Sequence, residues 1–152
     1  METRKIFVRR ATLADVELIV PLFDAYRQFY EQARNLALAR EFLRERLERD
    51  QSVIFVALHS DGAAVGFTQL FPSFSSASAQ RIFILNDLFV DPAARRNGVG
   101  QQLLEAAAEF GRGEGAIRLT LSTAHSNTSA QSLYEAQGWR RDEVFRNYYL
   151  PL

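Results

Sequence analysis

Apolar positions recur with two different periods along the chain, and the points where the period changes mark its elements. Residues 5–9 read as a short strand. Thr12 followed by Asp15 predicts a helix N-cap, the Thr12 hydroxyl being offered to the orphan amides of the first turn. Val16, Ile19, Val20, Phe23, Tyr26 and Tyr30 then fall on one helical stripe, with Pro21 a predicted kink. A second helix over 38–49 turns Phe42, Leu43 and Leu47 inward.

The period then shortens. VIFVAL (53–58) and AVGFTQLF (64–71) read as strands joined by Ser60-Asp61-Gly62, a hairpin signal because Gly accepts positive φ. PSFSSASAQ (72–80) reads as a serine-rich loop, and RIFILNDLFV (81–90) as a long, nearly all-apolar strand. Helical spacing returns with Val99, Leu103, Ala106, Ala107 and Phe110, and GRGEG (111–115) ends that helix. IRLTLST (117–123) is a further strand, and Asn127 opens a short helix to Gln137, closed by Gly138. The tail WRRDEVFRNYYLPL predicts one or two last strands. No repeat and no linker interrupts this order. It predicts one α/β domain over 1–152, a mixed sheet with helices on both faces.

Composition narrows the chemistry. A chain of 152 residues suits one domain with a real core. Lys plus Arg and Asp plus Glu are both 18, so the net charge is zero. That argues against broad electrostatic binding to nucleic acid or an anionic membrane. Cysteine is absent, which excludes disulfides, thiolate metal sites and a cysteine nucleophile. Two histidines, His59 and His125, leave little for a metal site. The start METRKIFVRR lacks a signal-peptide core, and no apolar run approaches the ~20 residues that span a bilayer. A cytoplasmic location is the simplest expectation.

DPAARRNGVGQQLL (91–104) has a shape suited to an anion. The first amides of a helix lack internal partners, and the helix dipole favours negative charge there. Gly98 and Gly100 let an anion approach the backbone, and Arg95 and Arg96 add forked donors. Leu103 stands where a Rossmann fingerprint needs its third glycine, and Gln101-Gln102 where a P-loop needs Lys-Ser/Thr. Taken alone, a structural turn with solvated arginines explains the same residues.

The wider context of that turn is more specific. LFVDPAARRNGVGQQLL resembles the acetyl-coenzyme A motif of the GNAT acetyltransferase superfamily, with Arg95, Gly98 and Gly100 at its defining positions. NTSAQSLYEAQGW (127–139) is similar to the family's Asn-x-x-Ala-x-x-Leu-Tyr-x-x-x-Gly-Phe segment, with Trp139 in place of the usual aromatic. The resemblance covers 53–150. It implies a GNAT fold of about six to seven strands, whose splayed pair, through Val90 and through Leu121, holds acetyl-coenzyme A. It places the pyrophosphate on the amides of Arg96, Asn97, Gly98, Val99, Gly100 and Gln101. It assigns main-chain pairing with the pantetheine arm to Leu88, Phe89 and Val90. Tyr134 becomes the acid for the departing thiolate, and Asn127 a contact to the arm; a core tyrosine and a plain helix cap are the other readings of these two.

The general base is less defined. Polyamine-acetylating relatives carry Glu-Asp where this chain has Asn86-Asp87. Asparagine cannot take a proton. Asp87 can, but strand alternation turns it away from Asn86 unless a bulge resets the register. Other readings are a structural Asp87, an Asn86 that orients a water, or an amine that arrives neutral.

For the acceptor, the family implicates 23–32 and 69–76. Asp24 and Glu31, seven residues apart, could hold a cationic amine between Tyr26 and Tyr30, or could be a solvated acidic pair. A small primary amine such as a polyamine or amino acid derivative is the first expectation, and a protein lysine or N-terminus the second. Without cysteine, direct attack in a ternary complex is favoured over a cysteinyl-acyl intermediate. A non-catalytic acyl-coenzyme A sensor remains open because of Asn86, and Tyr134 argues against it. The aromatic tail fits either a homodimer or an intramolecular strand.

Overall fold

The computed structural model describes residues 5–152. They form two compact units, divided after Ser122. In the first, strand β1 (Ile6–Arg10) leads through a 3-10 turn at Leu13–Asp15 into helix α1 (Val16–Phe29), followed by α2 (Leu36–Glu48). Strands β2 (Val53–His59), β3 (Ala64–Ser75) and β4 (Gln80–Val90) come next, then α3 (Val99–Gly113) and β5 (Leu119–Thr120). Among the described residues these make one five-stranded sheet in the order β1-β2-β3-β4-β5. All pairs are antiparallel except β4 with β5.

Both faces of the sheet are covered, which is why β2 reads as an unbroken apolar run. Ile54 and Val56 join Phe67 and Phe89 in the core under α1 and α2. Phe55 and Phe83 point the other way, to the ring of Phe110 on α3 at 5.8 and 5.1 Å. Gly66 lets α3 lie close. A Cβ there would stand 3.0 Å from the Phe89 carbonyl, 3.1 Å from Val99 and 3.2 Å from Leu103.

Thr12 is the N-cap residue of the 3-10 turn that leads into α1, and it forms a capping box with Asp15. Asp15 accepts the backbone amide of Thr12 at 2.7 Å and both arms of the Arg9 guanidinium at 2.8 Å each. Those bonds, the Arg9 pair above all, hold its carboxyl down at about 2.

Three expectations are corrected. The serine-rich stretch is not a loop throughout: β3 runs on to Ser75, and the hairpin turns only at 76–79. Apolar and serine positions alternate at 72–75, and each residue of 71–75 pairs with β4. The strand expected at 117–123 shrinks to Leu119–Thr120, since its pairing with β4 ends at Ile84↔Thr120. The last strands are not formed, so the sheet has five rather than six to seven.

The second unit holds α4 (Thr128–Ala136). Asn127 caps it, accepting the Ala130 amide at 3.3 Å, and Gly138 closes it at φ 90°. Beyond it the tail is exposed throughout 140–152, including Val144, Phe145, Tyr148, Tyr149 and Leu150.

Candidate active site

A bulge in β4 decides what the site contains. Gln69 pairs with Asp87 and Leu70 with Leu85, so Asn86 is the extra residue without a partner. The side-chain phase changes there. Phe83, before the bulge, meets Phe110 of α3; Phe89, after it, lies 6.5 Å from Phe67 and 6.3 Å from Tyr26 of α1. Asp87 is thereby turned to the α1 face, and it lines the same cavity as Asn86.

That cavity is about 440 Å³, within the range of small-molecule sites. Phe23, Tyr26, Tyr30, Phe42 and Phe71 give it aromatic walls. Tyr26 is the centre of this packing: its ring lies 5.0 Å from Tyr30 and 5.9 Å from Phe67, and its hydroxyl donates to the Asn86 carbonyl at 3.3 Å. Asp87, only 4% exposed, accepts Gln69 Nε2 at 2.6 Å and Asn86 Nδ2 at 3.0 Å. Each carboxylate oxygen keeps a further lone pair, so the group can still receive a proton from a ligand in the cavity.

Neither Asp24 nor Glu31 is among the residues that line the cavity. Asp24 is buried and holds the Asn35 amide and Gln28 Nε2, both at 2.9 Å, which ties α1 to the start of α2. Glu31 lies past the end of α1 at φ 65°, so the seven-residue helical spacing does not apply to it. The cavity draws on Arg27 and Gln32, with Gln69 behind Asp87, inside the stretches 23–32 and 69–76 though not named there individually, and on Leu38 outside them. Gln69 did leave a signal, as the one amide inside AVGFTQLF.

The glycine turn follows β4 directly. Asp91 and a 3-10 turn at Pro92–Ala94 lead to Arg96 at φ 68° and Gly98 at φ 74°, with Asn97 between them. A left-handed arginine costs on the order of 1 kcal/mol, and such outliers concentrate at functional turns. Gly98 is the N-cap residue of α3, and no side chain caps that helix. The first amides of α3, including those of Val99, Gly100 and Gln101, are thus available to an anion. Space is open where a Gly98 Cβ would stand. Arg95 donates Nε to the Val90 carbonyl at 3.2 Å, and its guanidinium lies 5.9 Å from the Phe89 ring centre.

Between cavity and turn, Leu88, Phe89 and Val90 pair with β3 on one side. On the other, β5 stops at the level of Ile84, which leaves that edge without a strand among the described residues. An extended, amide-bearing ligand is what such an edge accepts. In the second unit, Tyr134 is half-buried with its ring 6.0 Å from Trp139, and His125 is exposed. Among the described residues no cluster of three or more His, Asp or Glu could hold a metal, and no helix is long and apolar enough to cross a membrane.

Comparison with known proteins agrees with this arrangement. The acetyltransferase (GNAT) family profile matches residues 19–139. The chain is 50% identical over 143 residues to the uncharacterized N-acetyltransferase YhfO of Bacillus subtilis (strain 168), covering 94% of this chain and 95% of that one. It is 32% identical over 114 residues to an aminoglycoside N(6')-acetyltransferase type 1 of Klebsiella aerogenes, covering 74% of each. The crystal structure of a probable acetyltransferase superposes with a TM-score of 0.92 at 43% identity, over 96% of this chain and 97% of that one.

Proposed function

The chain belongs to the GNAT acetyltransferase family, and on that premise we propose that it moves an acetyl group from acetyl-coenzyme A to a small primary amine by direct attack in a ternary complex. The observation that carries the reading is the layout of β4. One strand presents Asp87 to an aromatic cavity, then an open edge at Leu88–Val90, then the uncapped start of α3.

Transfer needs the amine nitrogen to lose a proton and the thiol sulfur to gain one. Bound acetyl-coenzyme A supplies the activated thioester. The amides of Arg96, Asn97, Gly98, Val99, Gly100 and Gln101 would receive its pyrophosphate, with charge support from Arg95 and Arg96. Leu88, Phe89 and Val90 would pair with its amide-bearing arm, and Asn127 would contact the arm while capping α4. Asp87 would take the amine proton, oriented by Gln69 and Asn86. Tyr134 would protonate the leaving thiolate, the role its motif position implies. Tyr26 and Tyr30 would flank the acceptor.

The same reading takes 1–152 as one transferase domain acting in the cytoplasm, with neither nucleic acid nor membrane as partner. The exposed aromatic tail supports a homodimer.

Thiol release from acetyl-coenzyme A, with and without a pool of primary amines, tests the proposal. Because the chain has no cysteine, the thiol reagent detects only liberated coenzyme A. Amine-dependent release is the expected result, and Gly100→Glu should abolish it by placing a carboxylate against the pyrophosphate. Tight coenzyme A binding without release for any amine would favour a sensor; unchanged binding in Gly100→Glu would refute the anion site.

A further inference from the structure

Arg27 is the one cation lining the Asp87 cavity, and its Nη1 is buried without a hydrogen-bond partner. No ion pair to it is found among the described residues. The nearest acid along α1, Asp24, has both oxygens engaged by Gln28 and Asn35. A buried donor left unpaired costs on the order of 1–3 kcal/mol, more when charged, so a group held this way calls for a partner. Opposite in sign, Asp87 is the one carboxylate among the lining residues.

From this pairing we infer that the acceptor carries an anion as well as its amine: it is a small amino acid-like molecule with an apolar body, its carboxylate held by Arg27 and its amine presented to Asp87. The inference rests on the transferase reading and deepens it. A polycationic acceptor, such as a polyamine or an aminoglycoside, fits poorly. It would bring several ammonium groups to a cavity with one carboxylate and an unneutralised guanidinium. The aromatic walls suit a hydrocarbon or aromatic side chain instead. Arg27 sits in the last turn of α1, where the helix end contributes about half a negative charge. A full guanidinium charge in direct contact outweighs that for a bound carboxylate.

The test compares three acceptors that share one body: L-phenylalanine, L-phenylalaninamide and 2-phenylethylamine. The two controls bracket the amino acid in amine basicity, so a preference for it over both reports the carboxylate. The expected kcat/KM for phenylalanine is at least tenfold above either control, about 1.4 kcal/mol. In Arg27→Gln that ratio should collapse to within about twofold, and Arg27→Lys, which keeps charge but loses the fork, should retain part of it. Coenzyme A affinity reports whether each variant is folded. Calorimetric titration of N-acetyl-L-phenylalanine against its amide, on protein loaded with coenzyme A, reads the same subsite without turnover. Tenfold tighter binding of the acid, lost in Arg27→Gln, supports the inference even if no amine is acetylated, an outcome that would sink the transfer reading alone. Amine-dependent thiol release with no preference for the carboxylate overturns the inference and leaves the transferase standing. A preference for phenylalaninamide also overturns it, and points to a peptide N-terminus.

Discussion

Asp87 and Asp15 show how differently two buried carboxylates can be employed. Asp87 faces a cavity and accepts only amide donors, Gln69 and Asn86. Replacing it with Asn keeps the size and removes the proton acceptor, so kcat should fall about 100-fold while coenzyme A affinity holds. Tyr134→Phe should lower kcat by a similar order, and steady-state thiol release checks both. Asp15 is committed to Arg9 and Thr12 at the start of α1. Its carboxyl is held at about 2 against an ordinary 3.8, so its stabilisation is complete above pH 4 and is lost as pH falls through about 2. Because Arg9 is about half exposed, solvent screening leaves the effect near 1 kcal/mol. Urea unfolding of Asp15→Asn should show that loss at pH 7 and a flatter response between pH 4 and 2. The sequence carried the Thr12–Asp15 pairing and the two segments by which the chain resembles the GNAT family. It could not carry Arg27 or Gln69, whose importance lies in having no partner or a single buried one.

Local periodicity is enough to find α1, α2 and α3, and most strands, because each buries a face within the first unit. It fails where a strand depends on a partner. At 117–123 the alternating pattern is strong, yet only two residues find β4 within reach. At 72–75 the serines suggested a loop, yet long-range pairing with β4 overrides that composition. The Asp24–Glu31 spacing assumes a helix that reaches residue 31, and α1 ends at Phe29. Gly66 is a position where contact rather than pattern decides. Gly66→Ala would press a methyl against the Phe89 carbonyl, Val99 and Leu103, at 3.0–3.2 Å. The cost should be about 1–3 kcal/mol, read as a lowered urea midpoint with an unchanged slope.

At the scale of the molecule, the exposed Val144, Phe145, Tyr148, Tyr149 and Leu150 are, among the described residues, the most exposed apolar run. If a second copy covers them, sedimentation velocity should show a dimer at micromolar concentration, and truncation after Asp142 should shift it to monomer. Zero net charge gives the two copies no long-range repulsion to overcome. The bulge at Asn86 also has a consequence for how this molecule can change over time. Before it, the odd-numbered side chains of β4 face α3; after it, they face α1 and the cavity that Asp87 lines. Substitutions in the second half can reshape the cavity without disturbing the packing of the first against α3. Losing the single residue between them would swap the layers, exporting Asp87 to the wrong side. Lineages of this enzyme can therefore drift in spelling along β4, but not in length.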